Sequence, residues 1–183
     1  MATSTSPARA TTIRSGPRPG DLGRVLVMHG EIYAREYGFD ERFEAHVARG
    51  LAGFATALGE ARDDPHAPEP GRLWVAEHGG DGGDRGHTVG TVALTDEGDG
   101  LGQVRWFLVA PEARGTGLGR TLLQTLVDHA RARDLRHLKL WTVHLLDAAA
   151  HLYTAAGFRC TERHPTRQFG QDLEELRYDL DLT

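Results

Sequence analysis

The sequence predicts an α/β fold, a mixed central sheet of about six or seven strands with helices on both faces. Three observations predict it. Three apolar runs, Leu73–Ala76, Val89–Leu94 and Val104–Val109, are separated by Gly/Asp-rich turns and read as an antiparallel meander. The last run meets an amphipathic segment through "RGTGLG", a strand-to-helix junction rich in glycine. Beyond it, helical and alternating periodicities succeed each other to the C-terminus.

The first element is a short edge strand around Thr11 to Arg14, closed by "SGPRPGD". Asp21 is placed to cap a helix beginning near Leu22, and "LGRVLVMHGEIYAREYG" runs amphipathically to Gly38. "DERFEAHVARGLAGFATALGE" is a second helix with Asp40 as its cap and Phe43, Val47, Leu51 and Phe54 at helical spacing. "ARDDPHAPEPG" reads as a loop and "GGDGGDRG" as a flexible hairpin tip; the latter lacks the ligand spacing and closing Glu of a calcium hand. After the glycine junction, Leu122, Leu123, Leu126, Val127 and Ala130 mark one face of a helix ending near Arg133. "RHLKLWTV" alternates as a strand, and "LDAAAHLYTAAGF" is a helix stopped at Gly157. Phe158–Glu162 and "LEELRYDLDL" supply two final strands. "ERHPTRQFGQD" between them is expected as a long loop, with Arg167, Gln168 and Phe169 free to close over a site.

At 183 residues the chain suits one domain, expected over 10–183 behind a disordered tail at 1–9. The tail lacks the apolar stretch of a secretory signal, so the expected location is cytoplasmic. Hydrophobic content of 39% and charged content of 26% are those of a soluble globular protein. A net charge of −5 gives no support to nucleic-acid binding. No apolar run reaches the roughly 18 residues of a membrane helix. One cysteine, Cys160, rules out an internal disulfide framework and reads as structural, and no Cys/His spacing suggests a metal site.

The glycine junction carries the chemistry. Glycines between a strand and a helix expose unpaired amides at a helix N-terminus, where the dipole favours an anion such as a diphosphate. A P-loop is excluded, because Arg120 stands where its Lys is needed and too few residues separate the glycines. A dinucleotide fingerprint beginning at Gly115 and Gly117 wants a small residue at position 120, which is Arg.

"FLVAPEARGTGLGRTLL" resembles the acyl-CoA-binding motif of the GNAT N-acetyltransferase superfamily, Arg/Gln-x-x-Gly-x-Gly/Ala, through Arg114, Gly117 and Gly119. "LWTVHLLDAAAHLYTAAGFR" is similar to a second signature of that superfamily, a strand, a helix bearing a tyrosine, and Gly-Phe opening the next strand. The resemblance covers about Thr11 to the C-terminus and implies the GNAT fold, with acetyl-CoA as co-substrate and no metal. It implies that Phe107, Leu108 and Val109 pair with the pantetheine arm, and that Arg114, Gly115, Thr116, Gly117, Leu118, Gly119 and Arg120 hold the diphosphate. It implies Tyr153 as general acid on the CoA sulfur and the Val109 amide as oxyanion donor.

The strand "GQVRWFLV" departs from the commoner pattern: Gln103 and Arg105 stand where many relatives place a glutamate base. Candidates around the acceptor are Glu31, Tyr33, Glu36, Tyr37 and Phe39 on the first two helices, with His144 and Phe169 from the C-terminal half. The expected acceptor is an amine of a small molecule or protein. The other reading is an acyl-CoA-binding sensor without turnover. The superfamily also implies a homodimer through the C-terminal strands. "HGEIYAREYGFDERF" is further similar to acetyltransferase domains fused to MarR-type regulators, although the chain starts almost directly at its first strand and no DNA-binding half is expected.

Overall fold

A computed structural model describes residues 11–64, 66–79 and 86–183. The tail expected at 1–9 and most of the "GGDGGDRG" turn lie outside them. The elements are β1 (Thr11–Gly16), α1 (Asp21–Tyr37), α2 (Glu41–Asp63), β2 (Gly71–His78), β3 (His87–Asp96), β4 (Leu101–Val109), α3 (Leu118–Ala132), β5 (His137–Val143), α4 (Asp147–Ala155), β6 (Arg159–Gln168) and β7 (Gln171–Asp181). They form a seven-stranded mixed sheet, as the sequence predicts, and the strands lie in the order β1-β2-β3-β4-β5-β7-β6.

Side-chain alternation sorts the core into two layers. On β2, Leu73 and Val75 join Val25 of α1 and Val47, Leu51 and Phe54 of α2 on one face. Trp74 and Ala76, one residue out of phase, join Leu122, Leu123, Leu126 and Val127 of α3 on the other. Both sheet faces are therefore covered, and each fully buried leucine of α3 contributes about 1.5–3 kcal/mol. The helix ends follow local chemistry. Asp40 caps α2 by accepting from the Arg42 amide at 3.1 Å. Gly157, at φ 95°, closes α4 in a Schellman turn, with Phe158 N donating to Tyr153 O and Gly157 N to Thr154 O.

Three local expectations are corrected. Asp21 is not the cap of α1, which starts from Gly20 in the left-handed region. Its buried carboxylate instead accepts from Arg14 and from the Arg18 amide, and Arg14 also reaches Glu77 on β2. Helix α2 runs on through Asp63 into the segment read as a loop. The expected loop at 162–172 is a β-hairpin: β6 and β7 pair continuously up to Gln168 and Gln171, around Phe169 (φ 54°) and Gly170 (φ 82°).

Two irregularities shape the site. Strands β4 and β5 are parallel but pair only from Leu101–His137 to Gln103–Lys139, and then diverge. Beside that gap β4 is bulged: Trp106 and Phe107 together face the single residue Val92, and Trp106 adopts φ 46°. The hydroxyl of Thr91 donates to the Trp106 carbonyl at 2.8 Å and holds the bulge.

Candidate active site

The gap between β4 and β5 opens into two adjoining cavities, which share Tyr33, Phe107, Leu146 and Ala149. The larger, about 510 Å³, runs along the end of β4 and the start of α3. Ala110 N donates to Val89 O at 2.8 Å, so Leu108 and Ala110 turn their backbone groups to β3. Phe107 and Val109, the alternate residues, turn theirs to the open side. There the Val109 carbonyl accepts from Arg114 Nε at 3.1 Å.

From Arg114 the chain enters the glycine turn. Gly115 (φ 75°) and Gly117 (φ 87°) occupy the left-handed region, and a Cβ at either would meet nothing within 4 Å. The glycines are thus required by backbone angle, and the space above them is open. The amides of Gly115, Thr116, Gly117, Gly119 and Arg120 find no partner among the described residues; the first helical bond is Thr121 N to Gly117 O. Leu118 is buried and anchors the helix, and the Thr116 hydroxyl donates to Ala113 O at 2.7 Å. Five free amides at a helix start form an anion cradle. Arg114 also pairs with Glu36 of α1 at 2.9 Å.

The smaller cavity, about 160 Å³, lies on the α1–α2 side of the gap. Its polar lining is His29, Tyr33, His46, Gln103, Arg105, Thr142 and Tyr153, with Trp106 and Trp141 beside them and no carboxylate. The bulge places Arg105 and Trp106 together against α2: a Cβ on Gly50 would lie 2.7 Å from Arg105 Nη2 and 3.1 Å from Trp106 Cζ2. The guanidinium stacks 5.0 Å from the Trp106 ring centroid. His29 is buried, and its Nδ1 sits 2.8 Å from Val25 O. A carbonyl only accepts, so Nδ1 carries the proton and Nε2 keeps its lone pair. Burial pushes the His29 pKa down to about 4, with the Val25 bond opposing it, and the ring is neutral at pH 7.

Tyr153 is buried among Phe107, Phe158 and Tyr178, with its ring centroid 5.9 Å from that of Phe107. Burial, aided by Tyr33 and Tyr178, pushes its phenol well above the usual tyrosine range. It therefore keeps its proton at neutral pH.

The other candidates separate. Phe107, Leu108, Val109, Arg114, Gly115, Gly117, Leu118, Gly119 and Arg120 all line the larger cavity, as does Tyr37, and Tyr33 borders both. Glu31 is exposed and lines neither cavity. Glu36 faces the glycine turn, not the acceptor side. His144 is exposed, and its Nδ1 accepts from the Glu174 amide at 3.1 Å. Phe39 and Phe169 are buried in an aromatic cluster one layer behind the smaller cavity; Phe169 packs against Phe43 (5.0 Å) and His46 (5.7 Å). The hairpin tip bearing Phe169 is docked: its carbonyl accepts from the Asp40 amide, and Gln171 Nε2 donates to Tyr37 O. His29, His46, Gly50, Trp106 and Thr142 were not legible as site residues, since they come from separate elements with no shared motif.

Comparison with known proteins agrees with this geometry. A stretch of 100 residues is 36% identical to mycothiol acetyltransferase of Tsukamurella paurometabola, covering 52% of this chain and 34% of that protein. Another, of 83 residues, is 39% identical to an IAA acetyltransferase of Azospirillum brasilense, covering 45% of this chain and 52% of that protein. The chain thus matches only about a third to a half of the length of these relatives. The fold superposes on a Salmonella typhimurium structure described with its cofactor acetyl-CoA, at TM-score 0.70 and 21% identity over 95% of each chain. Residues 50–158, from α2 to the end of α4 and including the glycine turn, match the family model described as Acetyltransferase (GNAT) family. The chain belongs to the GNAT acetyltransferase family.

Proposed function

We propose that this chain is an acetyl-CoA-dependent N-acetyltransferase acting on a primary amine of a small molecule or protein. The observation that carries the reading is the continuity of free backbone groups with a second cavity: five unpartnered amides, then the open edge at Val109 and Phe107, then the smaller cavity. The amides of Gly115 to Arg120 fit a diphosphate, and the open β4 edge fits an amide-bearing arm added as a strand. Acetyl-CoA has both features, and when bound it supplies the activated acetyl group.

The protein's own groups divide the remaining work. The amide of Val109 points into the gap and stabilises negative charge on the thioester oxygen. An amine entering as the free base attacks from the smaller cavity; the C–N bond forms as the C–S bond breaks, and the amine proton leaves to water. Tyr153 gives its phenolic proton to the departing thiolate and regains one from solvent. Burial raises its pKa, so the phenol is protonated at neutral pH and is a weaker acid than an exposed tyrosine.

The test is calorimetric titration with acetyl-CoA followed by thiol release in the presence of amines. Binding with amine-dependent release is expected. Binding without release from any amine would favour a sensor, and absence of binding would refute the cofactor assignment.

A further inference from the structure

The smaller cavity has a cation, Arg105, with no carboxylate in contact with it among the described residues. Arg105 is half-buried in its wall, held against the Trp106 ring and Gly50 of α2. Among the described residues it makes no ion pair and no hydrogen bond, whereas Arg14, Arg114, Arg133 and Arg177 are each paired with a carboxylate. Glu97, the acid that acts on Arg105 electrostatically, is engaged with Lys139 at 3.5 Å.

Several features of the backbone keep that guanidinium where it is. The β4 bulge turns Arg105 and Trp106 towards α2, and Gly50 leaves the space that a side chain would fill. Contact with the Trp106 ring and with Gly50 holds the guanidinium, and no acceptor among the described residues takes its N–H groups. Burying a cation without a partner is costly, and the cost is recovered when an anion arrives. No acid lines the cavity to attract a cationic acceptor, and His29 faces it as a neutral acceptor of hydrogen bonds.

We propose that the acceptor carries a carboxylate and that Arg105 binds it, so that the enzyme acetylates the amine of a compact amino acid. This rests on the N-acetyltransferase reading given above. The carboxylate takes the free N–H edge of Arg105, a charge-assisted fork that selects planar anions. The amine is then left near Phe107 and Tyr153, where the two cavities meet. A cavity of about 160 Å³ suits a compact acceptor, because sites for larger ligands run to about 300–1,000 Å³.

The experiment uses matched pairs: amino acids and their carboxamides, which share side chain and amine and differ in the anion. Acetyl transfer to each is measured with the wild-type protein, R105K and R105Q, and acetyl-CoA affinity is measured for all three by calorimetry. The expected result is preference for the amino acids and equal acetyl-CoA affinity. In R105Q, kcat/KM for the amino acids should fall by about 10- to 100-fold through KM, with little change for the carboxamides, and R105K should recover part of the loss. Equal or better use of carboxamides by the wild-type protein would overturn the proposal, as would a preference that survives in R105Q. Failure to acetylate any amino acid while acetyl-CoA still binds would also overturn it, leaving the cofactor reading intact. Failure to bind acetyl-CoA would overturn both.

Discussion

The two cavities that meet at Phe107 are built on opposite principles. The larger presents backbone groups: free amides at the start of α3, left-handed glycines and an open strand edge, all within Phe107–Arg120. The smaller presents side chains, His29 and His46 from the two long helices, Arg105 from the bulge, Thr142 from β5 and Tyr153 from α4. A backbone site takes a ligand common to many proteins and carries little that titrates. A side-chain site can be changed one residue at a time and responds to pH. This division lets one fold keep its cofactor while changing its acceptor.

Sharp tests of the comparison follow from this difference. The largest effect is expected from Gly117→Asp, which strains a φ of 87° and sets a carboxylate against the bound diphosphate. Calorimetry should show acetyl-CoA affinity reduced by at least about 1,000-fold, two unfavourable terms of roughly 2 kcal/mol each combining. A far-ultraviolet spectrum like that of the wild type would show that the fold survives.

The next effect centres on the side-chain cavity. The unfolded chain protonates His29 near pH 6.5, but the folded protein resists until about pH 4. Between those values the unfolded state binds more protons, so stability rises with pH through the window and is lost on acidification. The loss is about 3 kcal/mol by pH 4. Denaturant unfolding from pH 7 to 4 should show the slope, with His46 and His129, also depressed by burial, adding to it. His29→Gln should flatten it; an unchanged slope would remove His29 as its source.

Tyr153→Phe should slow turnover by about 100-fold with acetyl-CoA affinity unchanged, as for loss of a positioned acid. Equal turnover would remove Tyr153 from the chemistry. The smallest effect is that of Gly50→Ala, whose Cβ would displace the Arg105 fork and press on Trp106. Acceptor KM should rise by about 10-fold, the value of one charge-assisted bond, with no change in acetyl-CoA affinity.

The same contrast explains what the sequence could show. The free amides and open strand edge of the larger cavity lie in one continuous segment, whose geometry needs glycine at Gly115 and Gly117, so they are written as a local pattern. The acceptor cavity depends on a bulge at Trp106, where no Gly or Asn announces a positive φ. Its walls come from distant elements, so neither the free state of Arg105 nor the neutrality of His29 could be read from spacing. Glu31, Glu36 and His144 attracted notice because of their residue types, but their surroundings assign them to solvent, to Arg114 and to the Glu174 backbone. The β6–β7 hairpin was hidden for another reason. Its strand β6 lies at the sheet edge, where Pro165 and a polar run are tolerated. Asp21 has the composition of a cap, yet Arg14, 2.8 Å away, engages it more strongly than a helix start would.

The central claim is that the cofactor is held by backbone and the acceptor by side chains. Its most direct test is one calorimetric series, acetyl-CoA titrated into the wild-type protein, Gly117→Asp and Arg105→Gln. The account predicts matching affinities for the wild type and Arg105→Gln, and no detectable binding to Gly117→Asp. Retained affinity in Gly117→Asp, or its loss in Arg105→Gln, would contradict it.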